Sequence, residues 1–227
     1  MSVVLMYHSV THQVENPYLQ IRPEELARQL DWLPELGYRA VSLAEALANP
    51  GERLAAVTFD DGLVDFLLAV DLFVERGIRP MLFVCPGLLG GHSDWTTSPR
   101  FRRRPILRPE QLRELPARGI DLGSHGWTHA SFLDLEPEDL DDQLGRCRWW
   151  FEQHLGLAEV PIAYPYGHCD VLRGAVVARH HRHALAVDPI PELPIHLAVP
   201  RPCGTDGLDR QAFARLLEQG ELETQGL

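Results

Sequence analysis

No Cys-x-x-Cys pair occurs in this chain, and its four cysteines, Cys85, Cys147, Cys169 and Cys203, lie far apart. That spacing excludes a zinc–thiolate ribbon and a dithiol redox motif, and it makes reduced thiols the default. Runs of basic residues are equally scarce. The densest is Arg100-Phe101-Arg102-Arg103-Arg104, and against a formal net charge of −11 one such cluster exerts little long-range attraction. Nucleic acid is therefore not expected as a partner. Long apolar runs are missing too: Met1 to His8 has no basic flank and is too short for a signal peptide or a membrane span. No membrane partner is expected, and the expected location is cytoplasmic. With no internal repeat and no linker, residues 1–227 are expected to form a single domain, a length that suits one α/β barrel.

What is present alternates between short apolar runs and helical patterns. Val3 to Tyr7 reads as a buried first strand ending at His8, followed by a polar loop from Thr11 to Gln20. Pro23-Glu24-Glu25 opens a helix with Leu26, Leu30 and Leu33 on one face and Gly37 just past its end. Tyr38 to Val41 is a brief strand, and Ser42 with Glu45 has capping-box spacing for a short helix. Leu54 to Phe59 is a strand, Leu63 to Arg76 a helix and Pro80 to Val84 a strand, an order that signals parallel βαβ units. Further along, helices are expected over Pro109 to Arg118, Pro137 to Leu155, Asp170 to Arg179 and Leu208 to Glu218. The strands between and after them are Ile120 to Gly123, Val160 to Tyr164, His183 to Val187 and His196 to Val199. The fold class is α/β, a (β/α) barrel.

The residues with chemistry fall at strand ends, where the βα loops of a parallel barrel gather around one mouth. Val57-Thr58-Phe59-Asp60-Asp61-Gly62 delivers two adjacent carboxylates into a turn, and their mutual repulsion calls for a cation, a shared proton or a solvated surface. Ser124-His125-Gly126-Trp127-Thr128-His129 supplies two imidazoles four residues apart. Two neutral imidazoles with one carboxylate make a facial metal site that leaves positions open for water and substrate. Without the histidines, the Asp-Asp-Gly segment would be an ordinary turn.

In this order and framework, Thr58-Phe59-Asp60-Asp61-Gly62, Ser124-His125 to Thr128-His129 and Tyr164-Pro165-Tyr166-Gly167 resemble the polysaccharide deacetylases, carbohydrate esterase family 4. The resemblance runs from Leu5-Met6-Tyr7-His8-Ser9-Val10 to the closing helix. It implies a deformed barrel of the NodB-homology type, seven-stranded, and a metal-dependent hydrolysis of N-acetyl groups on amino sugars that releases acetate. Asp61, His125 and His129 would then ligate a divalent metal, zinc by default, with Co, Ni, Mn or Fe also compatible. Asp60 would be the general base, and the Tyr166 backbone N–H would help stabilise the oxyanion.

Two departures from the family pattern stand out. Many relatives carry, in the Tyr-Pro-Tyr-Gly region, an arginine that holds the base; this chain has Ala163, and Arg201 is the candidate replacement. The family's late Leu-x-x-His motif matches Leu193-Pro194-Ile195-His196, making His196 the candidate general acid with His168 and His8 as rivals, but the acidic residue that often follows it is Leu197 here. Trp127, Trp95 and Tyr18 are candidate walls for a sugar ring, Thr128 a local brace for the histidine turn, and Trp149-Trp150 core residues. His180, His181 and His183 are expected to face solvent. The expected partner is an N-acetylated sugar. Two alternatives remain open: deacylation of a small intracellular acetamido or formamido compound, and a glycan-binding protein that has kept the scaffold without catalysis.

Overall fold

The computed structural model describes residues 1–96 and 101–222; Arg100 of the basic cluster lies outside the described residues. Seven parallel strands form a nearly closed barrel: β1 (Val3–Tyr7), β5 (Leu54–Phe59), β6 (Met81–Val84), β7 (Asp121–Ser124), β8 (Ile162–Ala163), β9 (Ala184–Ala186) and β10 (Val199–Pro200), hydrogen-bonded in that order. β4 (Arg39–Val41) pairs with β5 outside this path, and β2 (Ser9–Val10) pairs with β3 (Gln20–Ile21) as a separate ribbon. Past β10 the chain meets β1 again. The Met6 N–H donates to Pro202 O at 3.0 Å and the Gly204 N–H to Met6 O at 2.9 Å, which draws the two edges together.

Both faces of this sheet are covered, so its strands are continuous apolar runs, and their period-two alternation separates two layers. Val3, Leu5 and Tyr7 of β1 and Ala55, Val57 and Phe59 of β5 pack outward against helices, in one cluster with Leu26, Leu30 and Leu33 of α1 (Pro23–Glu35). Val4, Ala56, Met81, Phe83, Ala163, Leu185 and Val199 face the barrel interior. Small residues there make room for large ones. A Cβ on Gly123 would come within 2.5 Å of the Phe83 ring. The parity matters for function, because continuing it beyond the strands turns Asp60, His125 and Arg201 inward at the same rim.

Helix boundaries follow end chemistry. α2 (Leu43–Ala48) is capped by Ser42, whose side chain accepts from the Glu45 N–H. α5 (Pro137–Leu155) ends at Gly156 in the left-handed conformation and buries Leu140, Leu144, Cys147 and Phe151 as its spacing predicts. Trp150 is buried with them, whereas Trp149 is 58% exposed, so only one of the two tryptophans is a core residue.

The expected helix from Leu63 to Arg76 is divided into a 3-10 segment, Val64–Ala69, and α3 (Val70–Arg76). Its first residues are tied to a neighbouring loop: the Val64 N–H donates to Pro105 O and Asp65 accepts from Ser9 and Arg104. Likewise α4 (Pro109–Glu114) stops before Pro116, which has no N–H to continue the ladder. Of the expected strand from His196 to Val199, the first two residues lie in a 3-10 turn, Ile195–Leu197, closed by Leu197 N–H to Pro194 O at 2.8 Å, and only Val199 is in a strand, β10. α6 (Val171–Val177) and α7 (Arg210–Gln219) complete the layer. Among the described residues, no helix is long and apolar enough to cross a membrane.

Barrel closure supplies a first prediction. A Cβ on Gly204 would lie 2.2 Å from the ring of Tyr7, which is 1% exposed and hydrogen-bonded to Gln29. Gly204→Ala should therefore cost ~1–3 kcal/mol through overpacking, read as a lower urea midpoint; an unchanged midpoint would show that the closure can yield.

Candidate active site

Asp60 and Asp61 follow β5, His125 and His129 follow β7, and Tyr166 sits in the turn after β8, all at the strands' C-terminal rim. Among the described residues, four non-glycine positions have positive φ, and three of them are here: Asp61 (75°), His129 (57°) and Tyr166 (62°). Such conformations are costly for residues with a Cβ and persist where the surroundings over-determine them. They turn each side chain or amide back toward the mouth.

Asp61, His125 and His129 are buried, and one donor atom from each lies within 4.8 Å of the others. His129 Nε2 is 3.1 Å and His125 Nε2 3.5 Å from Asp61 Oδ1, yet this oxygen accepts no hydrogen bond. His125 Nδ1 is 2.8 Å from Ala163 O, which can only accept, so Nδ1 carries the proton and Nε2 keeps its lone pair. Backbone orientation of the far ring nitrogen is the usual way a ligand imidazole is aimed. Metal bonds of ~2.1 Å place neighbouring donors roughly 3.0–3.4 Å apart, so this donor set fits one divalent cation. Burial pushes the His125 pKa down to about 4, against the pull of Asp60, so the ring is neutral at neutral pH. Burial pushes Asp61 up, but the facing His129, with His8 and His125, outweighs it and lowers the carboxyl below its ordinary value.

Asp60 has a different environment. Arg201 is wholly buried and grips it with both terminal nitrogens, Nη1 to Oδ1 at 2.7 Å and Nη2 to Oδ2 at 2.9 Å. The same Nη1 donates to Thr58 Oγ1 at 3.0 Å, whose hydroxyl in turn donates to Leu5 O at 2.8 Å. Burial raises Asp60, but the Arg201 charge and hydrogen bonds, with His125 and His8, overcome it and hold the carboxyl well below the usual range. The cation absent at position 163 is thus supplied from beyond β10, while Ala163 contributes its carbonyl to His125.

A cavity of about 340 Å³ opens over these groups, walled by Tyr18, Trp95, Phe101, Tyr166 and Val187. Trp95 stacks on His129 at 4.4 Å between centroids and Tyr166 meets it edge-on at 4.8 Å. His8 also lines the cavity, and its Nδ1 is buried without a partner. Cys203 is on the same wall with its thiol raised to about 11 by burial and by Asp60, so it is no nucleophile at neutral pH.

Five sequence expectations are corrected here. His196 does not line this cavity; it precedes β10 and so lies toward the opposite rim, in a separate cavity with His181 and His183. Trp127 does not wall the mouth either, but takes Arg146 over its ring at 4.7 Å and crowds Gly87. Thr128 reaches Gln143 on α5 at 3.2 Å, rather than bracing its own turn. His181 is 3% exposed instead of solvent-facing, and His168, which is exposed, packs beside Tyr166 without lining the cavity. Sequence reasoning did not single out Cys85, buried behind the site with its thiol 3.0 Å from His125 O, and no motif marks it.

Comparison with known proteins agrees with this geometry. The family described as polysaccharide deacetylase matches residues 48–184. YxkH of Bacillus subtilis (strain 168) is 25% identical over 171 residues, covering 72% of this chain and 56% of that protein. The poly-beta-1,6-N-acetyl-D-glucosamine N-deacetylase of Escherichia coli (strain K12) is 26% identical over 143 residues, 55% of this chain but 20% of that enzyme. The chain thus spans about half of the first relative and a fifth of the second. Among solved structures, IcaB from Ammonifex degensii superposes with a TM-score of 0.79 at 24% identity, over 96% of this chain and 97% of that one. The Streptococcus pyogenes deacetylase PplD, in complex with acetate, gives 0.75 at 19% identity over 97% and 98%. At these identities the structures speak for the fold.

Proposed function

Because the chain belongs to the polysaccharide deacetylase family, we propose that it hydrolyses the N-acetyl group of an amino sugar or glycan, releasing acetate and a free amine. The observation that carries this reading is the division of labour between the two aspartates: Asp61 faces two imidazoles, while Asp60 is held ionised by Arg201. Asp61, His125 and His129 would hold the divalent cation, with zinc as the default. Bound there, the cation supplies Lewis-acid activation of the acyl oxygen and of the attacking water.

The chain's own residues do the rest. Asp60 takes the water's proton on its carboxylate as the C–O bond forms, and Arg201 keeps that carboxylate ionised and aimed. The Tyr166 N–H, turned by its left-handed backbone, donates to the developing oxyanion; one such donor is typically worth about 3–4 kcal/mol of barrier. His8 takes the acid's place expected for His196, giving a proton to the amine as the C–N bond breaks. Tyr18, Trp95 and Tyr166 offer aromatic faces to the C–H surface of a pyranose and exclude water.

His8→Gln should lower turnover of acetamido sugars by ~10²–10⁴-fold but slow an aryl acetate much less, since a phenolate leaves without a proton. Equal loss on both substrates would remove His8 from this role. The function itself is tested by acetate release from N-acetylglucosamine oligomers, monomeric acetamido sugars and soluble acylated amines, with and without chelator. Turnover of oligomers that chelation abolishes is expected. No turnover of any substrate with metal supplied, or turnover indifferent to the chelator, would overturn the proposal, and a preference for the soluble amines would move it to small metabolites.

A further inference from the structure

The N-terminal rim of the barrel, opposite the mouth, carries a cavity of about 710 Å³ lined by Arg148, Arg179, Arg182 and a group of histidines. Its walls come from segments that precede β8, β9 and β10, and from α5. The chain has a net charge of −11 and contains no lysine, so this concentration of guanidinium groups runs against its overall charge. Arg179 is compensated by Asp141 at 3.2 Å, which also takes His180 at 2.6 Å. Arg148 and Arg182 have no carboxylate within 4.0 Å among the described residues, and Glu159, the acidic residue on the wall, pairs with neither.

A second observation comes from His181, which is 3% exposed. Its Nδ1 lies 2.9 Å from Val160 O and therefore donates, leaving Nε2 as a buried acceptor with no donor. The wall thus contains both exposed cations without a carboxylate partner and a buried acceptor without a donor, a combination that matches an oxyanion carrying a hydroxyl. Adjoining it is another cavity, of about 520 Å³, which shares Glu159, Arg182 and His183 with the first. Its remaining wall is largely apolar, formed by Leu43 and Leu47 of α2, with Met81 and Val160. Arg182 stands at the seam between the charged and the apolar compartments.

We propose that this rim is a binding site for an anionic amphiphile, a phosphate head held by Arg148 and Arg182 with its hydrocarbon tail lying in the groove along α2. The forked guanidinium suits a phosphate head, and burial of the tail adds affinity that a bare ion lacks. The site is independent of catalysis at the mouth.

Isothermal titration of the metal-replete protein with hexyl phosphate, inorganic phosphate and hexanol tests it, with the binding surface mapped by amide chemical shifts. Hexyl phosphate should saturate one site with a Kd at least tenfold below those of the other two, shifting residues 158–160 and 178–183. Arg148→Gln and Arg182→Gln should each weaken it at least fivefold at unchanged melting temperature, and Leu47→Ser should weaken hexyl phosphate while leaving inorganic phosphate alone. Hexyl phosphate binding no tighter than inorganic phosphate would overturn the amphiphile. Affinity unchanged in both arginine variants, or shifts confined to the Asp61 mouth, would overturn the site.

Discussion

Asp60→Asn should reduce kcat/KM for acetate release by ~10²–10⁴-fold while the protein still binds its metal. The amide cannot take the proton that the proposed reaction assigns to ionised Asp60, whereas Asp61, His125 and His129 should keep their mutual geometry. Some stability is lost as well, because the amide presents an NH₂ to one of the two Arg201 nitrogens that now donate to carboxylate oxygens. Activity per bound metal, measured after metal analysis of the same sample, is therefore the discriminating quantity. Wild-type activity per metal in Asp60→Asn would mean that proton transfer does not pass through this carboxylate.

Arg201→Met should be the most damaging single change to the fold near the site, costing ~3–5 kcal/mol by leaving a buried carboxylate unpaired. The pH dependence has a definite sign. In the native protein Asp60 titrates below its unfolded value, so its contribution is fully present above the unfolded pKa of ~3.9 and is lost as pH falls. Without Arg201, burial dominates and raises the Asp60 pKa, so ionisation now opposes folding. The stability gap between wild type and variant should narrow as pH falls from neutrality toward pH ~4, and the acid limb of kcat/KM should move upward. Arg201→Lys should recover only part of either, since an ammonium cannot span both carboxylate oxygens. A pH-independent gap in urea midpoints would contradict the assignment of Arg201 as the residue that sets Asp60's charge.

Much of this was legible in the sequence because the physical signals were local. β5 and α5 have the bounds that apolar runs, Pro at the start and Gly at the end dictate. The family motifs located the aspartates, the imidazoles and the Tyr166 turn, and the empty place at Ala163 directed attention to Arg201. The misses came from reading letters without rims. Leu193-Pro194-Ile195-His196 matches a motif, but His196 leads into a strand, and in a parallel barrel the start of a strand faces away from the mouth. His8, at the end of β1, had the right rim all along. Trp127 shows a similar limit: between two mouth histidines, its ring turns to Arg146 instead. The partnership of Ala163 O with His125 had no side-chain signal at all.

The central claim is that one cation, held by Asp61, His125 and His129, serves a deacetylation in which Asp60 is the base. Its most direct test is titration of chelator-treated protein with zinc while acetate release from N-acetylglucosamine oligomers is followed. Activity should be absent at the start, rise linearly and level off at one metal per chain, and His129→Ala should lose the break. Full activity before any metal is added, or a rise with no stoichiometric end point, would contradict the account.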